Sequence, residues 1–510
     1  MAGTDPQSTA SQSTASQSTA TITPPPDGGG SAQASAGAED GAGASSSYAA
    51  GARILTIGIA STGIFTFLYL ALASHALDAA SYSRISLCWS IMFVILSVIY
   101  RPIEQLLSRT IADRRARGLH GHSLRVPAII QGSFALVFLI AALAMRNTIE
   151  QGIFDGSSAL YWILVVGVMA YAASYFARGW LAGHERFALY GALVFLESTS
   201  RFLFALAVAV GIGSGQGVVG LGMAVAPFAS LAVIPFAFTH VRRRIGSTHP
   251  SDSPAGAAVV SMDAAAEGPA HGQLEEIDTD LSMRHGAGFA VSVVGIMFAE
   301  QTLMNAGVLI VAAHSKAGAG LTTGLTGFVF NVLLIVRAPL QLFQAIQTSI
   351  LPHLAGLEAR ESADEFHRAI RLTVLAIAGF AGAVSLGLLV IGPPVMTALL
   401  GDKGFHYARF GLAVVGLGMG FHLIAGTLNQ AALARGRAPV AALAWLVAAA
   451  VFVVFVAEPT ISNEVTRVEV GYFLAALVLS GMLWAVYRRG AAPGPRAAPG
   501  RGAAPGPVAD

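Results

Sequence analysis

A few charged side chains lie inside long apolar runs of the chain, where a charge needs a compensating interaction. Glu197 and Arg201 are four residues apart, so on a helix they share one face and can pair. Glu300 has no residue of opposite charge in its own run, and its polar neighbours are Gln301 and Asn305. A charge at the centre of a bilayer costs about 2.5–3.5 kcal/mol on insertion scales. Such residues therefore either pair to permit burial or line a polar path.

Two arginines stand in similar surroundings in the two halves of the chain. Arg101 and Arg337 each lie beside a proline and a Gln-Leu pair, within Tyr100–Leu107 and Val336–Phe343. The planar guanidinium suits bidentate, charge-assisted bonds to phosphate. The competing interpretation is that these side chains reach to the membrane interface as topology anchors. Anchoring is the simpler interpretation for Arg101 at the edge of its run, and binding is the better one for Arg337.

The candidate residues form two groups. For a substrate path the sequence indicates six residues: Arg201, Arg337, Arg101, Asn305, Asn429 and Gln430. For ion coupling or pairing it indicates Glu300 and Glu197. The alternative for Glu197 and Arg201 is a self-neutralising pair inside the bundle. The alternative for Glu300 is a protonated or hydrogen-bonded side chain that fixes helix packing.

The composition indicates that much of this chain is surrounded by lipid. Hydrophobic residues make up 54% and charged residues 11%, and the mean hydropathy is +0.65. Soluble domains carry about 25% charged residues, so this chain has too few charges to cover a water-facing surface. The single cysteine, Cys88, cannot form an intramolecular disulfide. No cysteine/histidine cluster with metal-ligand spacing occurs, so we expect no structural or catalytic zinc site, and no cofactor is expected. The outer loops are short and hold no plausible acid/base pair, so we expect no enzymatic activity.

The apolar runs are each close to the roughly 20 residues that cross a bilayer as a helix. They are too long for barrel strands and do not alternate, so the sequence predicts an all-α polytopic membrane protein with about 12 transmembrane helices. The first set lies near 54–73, 86–100, 127–145, 160–177, 188–210 and 218–239. The second set lies near 287–311, 325–345, 370–391, 410–432, 438–457 and 469–487.

The positive charges give this layout an orientation. Most of the 30 lysine and arginine residues fall in alternate connections and tails, on the side that holds both termini. Cytoplasmic segments carry the excess of lysine and arginine, so we expect a multi-pass cell-membrane protein with both termini in the cytoplasm. The first apolar run begins near Ile54, after a long tail, which favours a retained span over a signal peptide.

Composition also divides the chain into segments. The terminal stretches are low in complexity, and the central stretch is rich in Ala, Gly, Ser and acids, so these three cannot bury enough apolar surface to order. The predicted segments are a disordered cytoplasmic tail 1–50, a six-helix lobe 51–245, a flexible cytoplasmic linker 246–285, a second six-helix lobe 286–489 and a disordered cytoplasmic tail 490–510.

The two lobes carry an internal repeat. Besides the similar segments around Arg101 and Arg337, the loop LAGHERFALYGAL (Leu181–Leu193) has a counterpart in LARGRAPVAALAW (Leu433–Trp445). Each is a short basic turn between two spans. Because both halves start on the same side, the repeats are parallel and related by an axis along the membrane normal. In transporters built this way, the substrate path lies between the halves.

The run Leu77–Gly118 resembles the first hairpin of polysaccharide biosynthesis proteins, with Ala80-Ser81-Tyr82-Ser83 in the place of that family's motif after span one. Leu181–Leu193 is similar to the same family's loop between spans four and five. These proteins belong to the multidrug/oligosaccharidyl-lipid/polysaccharide (MOP) flippase superfamily. The resemblance implies a two-lobed, MATE-like bundle that works by alternating access. It also implies that a polyprenyl-diphosphate-linked saccharide is moved from the inner to the outer leaflet, in cell-surface polysaccharide or lipopolysaccharide biosynthesis.

The sequence is also compatible with other functions. Within the same superfamily the alternatives are a cation-coupled drug exporter and a peptidoglycan lipid II flippase. From other classes they are a membrane glycosyltransferase or ligase, and a scaffold of a polymer-assembly complex. The first predicted span carries no charge, which weakens the drug-exporter alternative. The expected partners are the lipid-linked saccharide, membrane lipids and other polysaccharide-assembly proteins, with no nucleic acid.

Overall fold

The computed structural model describes residues 58, 61–116, 124–236, 271–317, 324–340, 343 and 363–489. The predicted tails 1–50 and 490–510 lie outside these residues, as does the 246–270 part of the predicted linker. All regular elements within the described residues are helical.

The helices follow the predicted order of apolar runs. In the first half the long helices are α1 (61–76), α2 (Ala79–Ala116, including an internal π turn), α3 (Arg125–Ala144), α4 (Ser158–Gly183), α5 (Phe187–Ala209) and α6 (Gly215–Leu231). A short helix, Arg146–Gly152, lies between α3 and α4. In the second half they are α7 (His271–Ala317), α8 (Leu325–Leu340), α9 (Ala363–Leu400), α10 (Arg409–Ala434), α11 (Ala438–Ala457) and α12 (Glu464–Arg489).

Length and composition make these helices membrane spans. Among the described residues, ten helices are long and apolar enough to cross a bilayer, and α8 is a shorter apolar helix. Helix α1, also short within the described residues, completes the first set. The predicted all-α polytopic fold is therefore confirmed.

Packing divides the helices into two lobes. In the first, α4 packs on α2 and α6, and α5 packs on α6. In the second, α10 packs on α9 and α12, while α11 packs on α7 and α12. The lobes meet where α7 lies against α2. The surface between them, which α1 and α8 also border, is called the seam below.

Helix α2 is much longer than the predicted span 86–100. It continues through a π turn at Leu96–Tyr100 and ends at Ala116. Pro102 has no backbone N–H and its ring clashes with the carbonyl four residues earlier, which normally breaks a helix. Here the Arg101 amide bonds the Leu96 carbonyl, so the widened turn absorbs the misfit and the helix goes on. The predicted span end at residue 100 is therefore wrong.

Helix α7 also begins early. Its backbone is helical from His271, which lies inside the segment 246–285 that the sequence assigns to the linker. The part of that segment from 271 to 285 is therefore helix, and the second lobe's first helix starts before the predicted boundary at 286.

Asp78 sets the sharp connection between α1 and α2. Its Oδ1 accepts the backbone N–H groups of Ala80 and Ser81, at 3.0 and 2.9 Å, which otherwise have no partner in the first turn of a helix. Hydrogen bonds from the Ser81 side chain and amide hold the pKa of Asp78 below its usual value. The cap therefore stays ionised at neutral pH.

The predicted repeat is visible in the backbone of its two turns. The turns after α4 and α10 each have a middle residue of positive φ, 57° at Glu185 and 68° at Gly436. In each turn the next amide donates to the carbonyl five residues earlier, at 2.9 and 2.8 Å. Both turns are thus the same helix-ending motif, in which one position must adopt the left-handed conformation.

Gly436→Ala should lower stability, because the left-handed conformation costs a residue with a Cβ about 1–2 kcal/mol. A Cβ at Gly436 meets no atom within 4 Å, so crowding does not contribute. The expected fall in Tm in detergent is about 1–4 °C. Gly481→Ala is the matched control, since Gly481 also has open space but lies in α12 with ordinary helical φ. An equal fall in both variants contradicts the argument.

Candidate functional site

A cavity of about 380 Å³ lies in the seam between the lobes. Its lining comes from α1, α2, α4 and α5 of the first lobe and from α7 and α8 of the second. The charged lining residues are Arg101, Glu104, Arg178, Glu197, Arg201, Glu300 and Arg337. With four arginines against three glutamates, this lining carries one excess positive charge when all are ionised.

Glu197 is the most heavily bonded acid in this lining. Its carboxylate accepts hydrogen bonds from Arg178, from Arg201 at 3.3 Å, from the Tyr171 hydroxyl at 3.1 Å and from Ser174 at 3.4 Å. The residue is only 3% exposed. Arginines on both sides therefore share one buried carboxylate, and each of its oxygens is paired with one of them.

The two arginines keep bonding capacity after this pairing. Among the described residues, Arg201 Nε and Nη1 and Arg178 Nε are buried without a hydrogen-bond partner. The Arg201 guanidinium lies over the rings of Trp89 and Phe93, at 5.2 and 5.6 Å from their centroids. Buried N–H groups normally find a partner, so these donors indicate a site that accepts an anion or water.

Arg178 is the main site residue that the sequence prediction missed. The predicted span 160–177 placed it in a cytoplasmic loop, whereas α4 continues to Gly183 and carries Arg178 within the helix. The turn signal Gly183-His184 marks the true end of this helix and was the available clue. The predicted pair of Glu197 and Arg201 is present, with Arg178 as a third member.

Arg337 approaches the cavity from α8. Its Nη2 donates to the Met304 carbonyl at 2.8 Å and to Asn305 Oδ1 at 2.7 Å, and its Nε is buried without a partner among the described residues. Asn305 in turn donates to the Gln301 carbonyl at 3.0 Å. Asn305 is 1% exposed and stands behind Arg337, so it orients this arginine and does not itself line the cavity.

Arg101, Glu104 and Glu300 complete the charged lining. Because α2 continues past Pro102, Arg101 lines the cavity and does not mark a span edge. Glu104 accepts the Tyr190 hydroxyl at 2.6 Å. Glu300 has no local cation, but the charge of Arg101 acts on it across the seam.

Two predicted path residues lie elsewhere. Asn429 is 6% exposed and accepts the Trp445 Nε1 hydrogen at 3.2 Å, within the second lobe. Neither Asn429 nor Gln430 belongs to the cavity lining, because their helix packs on α9 and α12 away from the seam. His422 on the same helix lies 2.9 Å from the Tyr472 hydroxyl, so it is a packed, hydrogen-bonded residue of the second lobe.

Known sequences and known structures give different results for this chain. No protein-family model matches it, and no curated protein matches it. Several solved structures, however, match this chain. A mutant of the Vibrio cholerae MATE transporter VcmN is 14% identical, with a TM-score of 0.55 over 87% of this chain and 98% of that one.

Two further matches are described as multidrug resistance MATE family transporters of the MOP superfamily. The inward-facing one is 12% identical, with a TM-score of 0.58 over 86% of this chain and 98% of that chain. The outward-facing one is also 12% identical, with a TM-score of 0.60 over 86% and 95% of the two chains. Identity this low establishes the fold alone. The chain is a multi-pass, all-helical membrane protein with the two-lobed fold of the MATE transporters.

Glu197→Leu should strongly destabilise the first lobe, because it leaves Arg178 and Arg201 buried without their anion. Breaking a buried ion pair in this way costs about 3–5 kcal/mol. The matched control replaces the whole triad (Arg178→Met, Glu197→Leu, Arg201→Met), which should restore stability to near that of the natural protein, since removing all members is often neutral. Thermal unfolding in detergent measures both, and a Glu197→Leu protein as stable as the natural one would refute this role.

Proposed function

We propose that the protein is a membrane transporter that flips a polyprenyl-diphosphate-linked saccharide from the inner to the outer leaflet by alternating access, in cell-surface polysaccharide biosynthesis. One observation carries the proposal. The seam cavity holds more arginine than glutamate, and Arg201 and Arg337, on opposite lobes, both keep buried N–H donors without a partner among the described residues.

The chemistry of a lipid diphosphate fits this arrangement. A diphosphate presents several oxygen acceptors and negative charge, and arginine binds such groups with paired, charge-assisted hydrogen bonds. The polyprenyl chain is as apolar as the bilayer and can stay in lipid while the headgroup occupies the cavity. A flippase needs no chemical step, which agrees with the expectation that the protein is not an enzyme.

The fold supports transport between two access states. Related structures are described as inward-facing in one case and outward-facing in another. Two lobes that meet at a seam can close at either end around a central site. The bias of positive charge along the chain supports the proposed orientation, with both termini in the cytoplasm and the protein in the plasma membrane.

The second candidate is a cation-coupled drug exporter of the same superfamily. It is favoured by the printed descriptions of the similar structures as multidrug resistance transporters. Glu300 and Glu197 in the cavity are its candidate ion-binding acids. Against it stands the excess positive charge of the lining, which repels the cationic drugs that such exporters would carry. Glu197, moreover, is already bonded to two arginines.

Arg201→Gln and Arg337→Gln should each weaken binding of a polyprenyl-diphosphate-linked N-acetylglucosamine to the protein in lipid nanodiscs. Hydrogen bonds to charged groups contribute about 1.5–3 kcal/mol, so each affinity should fall roughly 10-fold or more. Arg146→Gln is the matched control, because Arg146 pairs with Glu150 at 3.1 Å outside the cavity and its loss should leave binding unchanged.

The same preparations distinguish the two candidates. Proteoliposomes should move the labelled lipid to the opposite leaflet, and the two cavity variants should move it more slowly. Tight binding of a cationic dye such as ethidium, with no binding of the lipid diphosphate, would instead establish the drug-exporter alternative.

A further inference from the structure

The half of the seam away from the arginine cavity is joined by polar side chains from both lobes. Asn331 of α8 is completely buried. Its Oδ1 accepts the Tyr82 hydroxyl at 2.5 Å, and its Nδ2 lies 3.3 Å from Ser74 Oγ and 3.4 Å from both the Leu400 carbonyl and the Tyr407 hydroxyl. The amide thus joins α1 and α2 of the first lobe to α8 and the end of α9.

Lys403 makes a second connection across the same end of the seam. It stands between α9 and α10, and its amino group donates to the Ser74 carbonyl and, at 2.7 Å, to the Leu77 carbonyl. These carbonyls belong to the end of α1, where no helical N–H can reach them and the helix dipole is negative. A cation of one lobe therefore caps a helix of the other.

Serine side chains of the first lobe bond directly to the backbone of the second lobe here. Ser74 Oγ donates to the Leu400 carbonyl, and the Gly327 amide donates to Ser83 Oγ at 3.0 Å. A Cβ at Gly327 would lie 2.8 Å from the Tyr82 ring, so only glycine fits without a shift. Close packing and hydrogen bonds between the lobes together close this end of the seam.

The same type of bond also occurs inside single lobes, which gives internal comparisons. Arg467 donates to the Val456 and Ile461 carbonyls at the end of α11, and both partners lie in the second lobe. Gln131, a buried amide on α3, donates to the Ala172 carbonyl of α4 in the first lobe. Of these four side chains, Asn331 and Lys403 bond across the two lobes, so their contacts must break when the lobes separate, whereas those of Arg467 and Gln131 need not.

We propose that Ser74, Asn331 and Lys403 form a polar latch that holds the seam closed at the end bearing the α1–α2 and α9–α10 connections, and that this latch must open for the cavity to reach that side. Every latch contact is a hydrogen bond whose partners water can satisfy after opening, so the closure is reversible. An apolar closure of equal area would instead expose hydrophobic surface each time it opened. The inference rests on the proposed transport function only in requiring two access states.

Spin labels on the two lobes measure this opening without any substrate. Ser214 and Ser462 are exposed serines in loops of the first and second lobe, respectively. With both replaced by labelled cysteines in a Cys88→Ala background, Asn331→Leu and Lys403→Met should each shift the electron–electron distance distribution to longer distances. Gln131→Leu, which removes a buried amide bond within one lobe, should leave it unchanged. Arg467→Met is the control for the labelling experiment below, because Arg467 bonds the Ile461 carbonyl beside the labelled Ser462.

A buried reporter gives a second readout. Ser86 is fully buried on α2, one turn beyond Tyr82. As the only cysteine, Ser86→Cys should react with a soluble maleimide about 10-fold faster in the latch variants, the change expected from losing about 1.4 kcal/mol of closure. Unchanged distances and labelling in both latch variants, or equal changes in the two control variants, would overturn the latch.

The latch and the proposed substrate can each fail without the other. If the latch variants open the seam but the protein moves no lipid diphosphate, the latch stands and the proposed substrate falls. If the lipid is moved and neither latch variant alters distance or labelling, the substrate stands and the latch falls.

Discussion

Glu197 lies between Arg178 and Arg201 in a part of the molecule where unpaired charge is expensive. Its two oxygens take one arginine each, and Tyr171 and Ser174 fill further acceptor positions. This sharing ties α4 to α5, and the position of the Arg201 guanidinium over Trp89 brings α2 into the same unit. The first lobe is therefore organised around a charge that the triad only partly neutralises, and the excess faces the seam.

The seam has two halves with different chemistry. On one side, Arg201 and Arg337 leave buried donors that only an anion or water can satisfy. On the other side, Asn331 finds protein partners for both ends of its amide. Unsatisfied donors favour entry of a ligand, and satisfied ones favour closure. The seam is closed at the α1–α2 connection and hollow beside the arginines, the arrangement that the proposed transport function requires of one of its two access states.

The overall similarity of this chain to solved structures does not distinguish an inward-facing from an outward-facing arrangement. The inward-facing and outward-facing relatives have TM-scores of 0.58 and 0.60, which are nearly equal. In a two-lobed bundle most neighbours lie within one lobe and are unaffected by rocking, so the state depends on a small number of contacts across the seam. The proposed latch of Ser74, Asn331 and Lys403 supplies contacts of this kind.

The features that the sequence determined by itself are local in the chain. Apolar length predicts the helices, the i, i+4 spacing predicts the pair of Glu197 and Arg201, and the matching loops predict two turns that share one backbone conformation. Tertiary structure decided which distant groups meet. Arg178 reaches Glu197 from another helix, and Arg337 reaches Asn305. Helix packing sets these pairings, and a hydropathy pattern can indicate which face of a helix is apolar but not which other helix lies against it.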